Sequence, residues 1–180
     1  MRSYLIAQLI LPLMLIILLS GIASAKLTDH GHGIVDIKGS IIDTPCSIEV
    51  NDQNQAIEFG SITTGELIQN GHGPESSFAI HLINCVLEPS HPWEHGWSEF
   101  QVTFEGEHDD GLFGIIGASG IGVRIRDPQG NIALPGVPLP RSRLTLGNHT
   151  LNYSLQLLGD HHQLQAGDYR AAIRFKVDYF

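Results

Sequence analysis

From Tyr169 to Tyr179 the chain alternates with period two. Tyr169, Ala171, Ile173, Phe175, Val177 and Tyr179 give one wholly apolar parity, and the other carries Arg170, Arg174, Lys176 and Asp178. Side chains along a strand point alternately to opposite faces, so this stretch predicts a strand with one buried face. Leu151, Tyr153, Leu155 and Leu157 alternate in the same way with Asn152, Ser154 and Gln156. Further strands are expected over 35–42, 46–50, 78–84, 100–105 and 122–126. Turn-forming clusters separate them: Gly71 to Pro74, Pro89 to Pro92, Gly106 to Gly120, Asp127 to Gly130 and Pro135 to Pro140. No helical periodicity stands out. With 16% charged residues, 20 Gly and 9 Pro, the chain reads as all-β, with about seven short strands arranged as a sandwich.

The first 25 residues are set apart from that fold. Arg2 is followed by an apolar run from Leu5 to Leu19, broken only by Gln8 and Pro12, and then by Ala23-Ser24-Ala25. A short positive region, an apolar segment and a small-x-small site predict a secretory signal peptide over residues 1–25, cleaved before Lys26. A transmembrane anchor is the alternative, although the run is short for a span of about 20 residues. The mature chain would then be exported and soluble. Its cysteines, Cys46 and Cys85, are an even pair in an exported chain, which predicts one disulfide. Two buried free thiols are the alternative.

The formal charge of −9 argues against a nucleic-acid partner, because phosphate binding needs a basic patch. It argues equally against electrostatic docking on anionic lipid. Catalytic patterns are missing. Gly117-Ala-Ser119-Gly120 only approaches a nucleophile elbow and lacks strand-to-helix flanks. His30-Gly-His32 lies in a glycine-rich stretch that would not hold ligands rigidly, and His161-His162 falls in an expected turn. Asp109-Asp110 reads as a solvated turn. No metal, cofactor, small-molecule substrate or enzymatic activity is expected.

Residues 26–38 form a polar, glycine-rich arm leading into Gly33-Ile-Val35-Asp-Ile37-Lys-Gly39. Leu27, Gly31, Gly33, Val35 and Ile37 share one parity, as in an extended strand that adds to a sheet edge on another molecule. A plain tail ahead of an ordinary first strand has the same pattern.

Taken together, these pieces resemble the subunits of chaperone–usher fimbriae, the pilins. The resemblance rests on the arm followed by Cys46, on Ile83-Asn84-Cys85, and on the segment from Ala166-Gly167-Asp-Tyr169 to Asp178-Tyr179-Phe180. Gly167 is fourteenth from the end and Tyr179 penultimate, the marks of the last pilin strand. Some stretches look closer to the minor pilin that terminates and anchors P-type fimbriae: Leu67 to Gly71 with Gly73-Pro74-Glu75, Val102 to Gly106, and Gly130 to Ala133.

The resemblance implies an incomplete immunoglobulin-like sandwich over residues 39–180 that lacks its final strand, with 26–38 as a donor-strand arm. A periplasmic chaperone would first fill the gap, and the arm of a neighbouring pilin would replace it at an outer-membrane usher. The strand from Gly167 through Tyr169, Ala171, Ile173, Phe175, Val177 and Tyr179 would line the groove, and Phe180 would offer a carboxylate to the chaperone. The implied role is a minor subunit at the bacterial surface that ends growth and anchors the fibre base. The alternative is an ordinary polymerising pilin that contributes to adhesion. The arm departs from the usual alternation at Asp29, Gly31 and Gly33, which weakens its apolar contribution. The bulky stretch from His91 to Trp97 is expected to be a surface loop.

Overall fold

A computed structural model describes residues 33–39, 41, 43–88 and 96–180. The signal-peptide reading, Leu27, Gly31 and His91 to His95 lie outside these residues. The chain divides into two units, Met1–Ser40 and Ile41–Phe180. In the first, residues 33–39 have no regular secondary structure, and Ile34, Val35 and Ile37 are exposed. The strand expected over 35–42 is therefore not observed in residues 33–39 and 41.

The second unit holds ten strands among its described residues: β1 (Ser47–Ile48), β2 (His72–Cys85), β3 (Glu99–Glu105), β4 (His108–Asp109), β5 (Leu112–Phe113), β6 (Ile121–Arg126), β7 (Ile132–Ala133), β8 (Ser142–Arg143), β9 (Gly147–Gly159) and β10 (Arg174–Tyr179). They form two antiparallel sheets. The larger runs β1-β2-β9-β6-β5-β4, with β7 also paired to β6, and the smaller runs β10-β3-β8. Neither sheet closes on itself, so strand edges remain free.

The expected alternation places the core. In β9, Tyr153, Leu155 and Leu157 are buried, and in β3 so are Phe100, Val102 and Phe104. Ile80 and Leu82 of β2 and Ile125 of β6 join them, each at most 1% exposed. These side chains come from both sheets and make one contiguous apolar interior. Cys46 and Cys85 are joined in a disulfide beside β1, whose Ser47 and Ile48 pair with Ile83 and Leu82.

The structure differs from the sequence reading in further places, and β2 already begins at His72 inside the expected Gly71 to Pro74 separator. A short helix, α1 (Thr64–Asn70), precedes β2. The Thr63 side chain accepts a hydrogen bond from the Glu66 N–H at 3.2 Å, and Gly71 ends the helix at φ 72° in the left-handed region. The Gly106–Gly120 stretch, read as a turn, contains the β4–β5 hairpin. The last strand begins at Arg174 rather than Tyr169. Its partner β3 ends at Glu105, opposite Arg174, so earlier residues have no ladder to join there. Ser119 and Ile116 instead bridge to Gln165 and Arg170.

Candidate functional site: an open apolar cleft

β10 lies at the edge of the smaller sheet. Phe175 pairs with Phe104, Val177 with Val102 and Tyr179 with Phe100. Each pair shares the inner face, but the two members are not equally covered. The three β3 residues are buried at 2–5% exposure, whereas Phe175, Val177 and Tyr179 are only half-buried. The inner face is thus sealed along β3 and left partly open along β10.

Beside this edge lies a cleft of about 1120 Å³. Three stretches line it. The first is Asp52 to Ile62, which has no regular secondary structure after the short turn that ends at Asp52. The second is inner-face residues of four strands: Phe78 of β2, Phe104 of β3, Val123 and Ile125 of β6, and Leu155 of β9. The third is Gly167 to Ala171 with Ile173 to Phe175. Phe104 meets Phe78 and Tyr153 edge-on, at ring-centre distances of 6.1 and 5.0 Å, which fixes the rings at the base.

A second wall also has a free strand edge. β1 pairs with β2 only at Ile83 and Leu82, and the Glu49 N–H donates to the His81 carbonyl at 2.9 Å. Farther along, the Ala79 carbonyl accepts from the Gln55 side chain at 2.7 Å instead of from a strand. Asp52 anchors the start of this stretch by accepting from the backbone N–H of His81 at 2.6 Å and lying 2.8 Å from its Nδ1. Glu49, Asp52 and His81 lie close enough to hold an ion, but these hydrogen bonds give Asp52 a structural task.

Of the residues singled out from the sequence, Gly167, Tyr169, Ala171, Ile173 and Phe175 line the cleft. Val177 and Tyr179 continue the same inner face of β10 beyond it. Burial raises the Tyr179 hydroxyl pKa to about 12 and raises that of Tyr169. Phe180 follows β10 and is exposed. Val35 and Ile37 belong to the other unit. Sequence reasoning missed the Ile57, Phe59 and Ile62 wall, although Ile57-Glu58-Phe59 carries a short alternation. It also missed Phe78 and Phe104 as cleft residues, although both lay in expected strands. Among the described residues, His162 is exposed beside buried Asp160, and no helix is long and apolar enough to cross a membrane.

Such a surface, with apolar side chains half in water and strand edges unpaired, suits the addition of a further strand. Comparisons with known proteins lead to the same group of molecules. The chain is 36% identical over 162 residues to the major MR/P fimbria protein of Proteus mirabilis, covering 87% of this chain and 89% of that protein. It is 32% identical over 144 residues to the PAP fimbrial minor pilin protein of Escherichia coli, covering 78% and 74%. The P pilus rod subunit PapA has the same fold, with a TM-score of 0.66 at 21% identity, covering 76% of this chain and all of that one. The fold is therefore an incomplete immunoglobulin-like β-sandwich. The fimbrial protein family matches residues 35–179, from Val35 in the arm to Tyr179 at the end of β10, and the chain belongs to that family.

Proposed function

We propose that this fimbrial subunit completes its sandwich with a strand taken from another chain. The observation that carries the reading is the half-covered inner face of β10 beside the open cleft. A donated strand would pair with the free edge of β10 and bury Phe175, Val177 and the cleft floor. Burial of apolar surface contributes about 25 cal/mol per Å², so a full strand supplies several kcal/mol. A periplasmic chaperone would donate the first strand. At an outer-membrane usher, the arm of a neighbouring pilin would replace it. Residues 26–38 of this chain, with Val35 and Ile37 exposed, would serve as the arm given to a neighbour. The role is structural rather than enzymatic.

Within the fibre, we place the chain as a terminating subunit that anchors the base at the outer membrane. Likeness to the PAP and PRS minor pilins, at 32% and 31% identity, supports this. The weak alternation at Asp29, Gly31 and Gly33 suits an arm given to one specialised neighbour. A second reading, an ordinary polymerising pilin, draws support from the 36% identity to a major fimbria protein and from the openness of the cleft.

The deciding experiment starts from the mature chain bound to its chaperone. Peptides copying the arms of neighbouring pilins are added, together with one copying residues 26–39. A terminator keeps its chaperone over days while a control pilin exchanges. Ready release of the chaperone removes the terminating role and leaves a polymerising subunit.

A further inference from the structure

Phe180 continues the ladder of β10 by one residue. Its N–H donates to the Glu99 carbonyl at 2.9 Å, and its main-chain oxygen accepts from the N–H groups of Glu99 and Ser98 at 3.0 and 2.7 Å. An edge strand normally frays at such a position, since only one side is paired. Here a side chain reaches over from the far side of the sheet. Arg141 immediately precedes β8, which pairs with β3 through Glu99–Arg143 and Phe100–Ser142. Its guanidinium lies over the Phe180 ring, 3.8 Å from the centroid, and donates to the Glu99 carboxylate at 3.2 Å. One side chain therefore ties together all three strands of the smaller sheet.

The geometry points to Arg141 as a positioning residue for strand capture: by stacking on Phe180 and pairing with Glu99, it holds the end of β10 in register before a donated strand arrives. This inference rests on the complementation reading. A partner that adds to a sheet edge must order whatever part of that edge is loose. An edge already held straight removes that entropic cost and speeds association. The two contacts are different in kind, which lets substitutions separate them. Arg141→Lys keeps a charge for Glu99 but loses the flat stacking surface. Glu99→Gln removes the ion pair and leaves the stacking.

The test uses the full mature chain, alone and with a synthetic peptide copying the strand that its chaperone donates. Amide hydrogen exchange at Phe180 and the rate of peptide capture are measured together. Arg141→Ala is expected to speed exchange at Phe180 by about fivefold and to slow capture by a similar factor, as exposed cation–π and ion-pair contacts allow. Exchange in the middle of β10, and the rate at which bound peptide leaves, should barely change. Arg141→Lys should recover part of both effects, which loss of folding alone would not allow. Wild-type Phe180 protection in Arg141→Ala, or capture at the wild-type rate, overturns this inference alone. A wild-type chain that never captures the chaperone-strand peptide overturns the complementation reading and the role of Arg141 in capture with it.

Discussion

Phe104 of β3 stands edge-on to Phe78 of β2, with ring centres 6.1 Å apart and planes at 77°, at the base of the open cleft. The pair joins the two sheets at the place where the sandwich is least covered. Phe104 is 2% exposed, so its removal leaves a cavity beside a groove that is already open. Phe104→Ala should cost about 3–5 kcal/mol, the usual range for a buried phenylalanine. Denaturant unfolding of the strand-complemented protein measures it. A loss under about 1 kcal/mol would mean that the ring does not brace the sheets.

The two faces of β10 should respond differently to charge. Val177 points to the inner face opposite Val102, whereas Lys176 is exposed and pairs with Asp178 at 3.2 Å. A carboxylate at position 177 would be desolvated once a strand covered it. Val177→Asp should abolish capture of a peptide copying the chaperone's donated strand. Lys176→Glu, on the outer face, should change it less than about threefold, as expected for an exposed ion pair. Titration of labelled peptide by fluorescence anisotropy compares them directly.

Joining Cys46 to Cys85 closes a loop of sequence separation 39 and fixes the start of β1 against the end of β2. The loop-entropy account puts such a closure at about 4 kcal/mol. Replacing both cysteines by serine should lower unfolding stability by about that amount in the complemented protein. Thermal unfolding of the oxidised chain and of the double variant gives the difference.

Asp109 supplies the pH dependence. Burial raises its pKa from the usual 3.8, and a hydrogen bond to Asp160 and the charge of Asp160 raise it further. His162 pulls the other way, and Asp110 adds to the rise. The fold thus favours the neutral carboxyl. The corresponding stability is present below the ordinary value and is lost as pH rises through the raised one. Asp109→Asn should therefore be more stable than wild type at pH 7, with the advantage vanishing toward pH 3. Melting curves at both pH values test the sign.

Much of this architecture was legible because strand alternation is a local signal. The inner parities of β3, β9 and β10 are visible in Phe100 to Phe104, Leu151 to Leu157 and Ile173 to Tyr179. The cysteine pair was visible too. What escaped depends on partners far away in sequence. Arg174 starts β10 because β3 runs out at Glu105, a fact absent from the residues around Tyr169. The wall from Asp52 to Ile62 has no regular structure and acquires meaning only beside β2. The α1 helix did leave a local mark, the Thr63-x-x-Glu66 capping pattern, but seven residues are too few for a periodicity to show. The cleft itself is a relation among chain segments scattered from Ile48 to Phe175, and no single stretch announces it.

The central claim is that the free edge of β10 takes a strand from another chain. The most direct measurement is amide hydrogen exchange across β10 in the mature chain alone and in complex with its chaperone. The account predicts that amides of Arg174 to Tyr179 facing away from β3 exchange rapidly at first and become strongly protected in the complex. Those already paired with β3 should gain less. Unchanged exchange along the outer edge of β10 in the chaperone complex would contradict it.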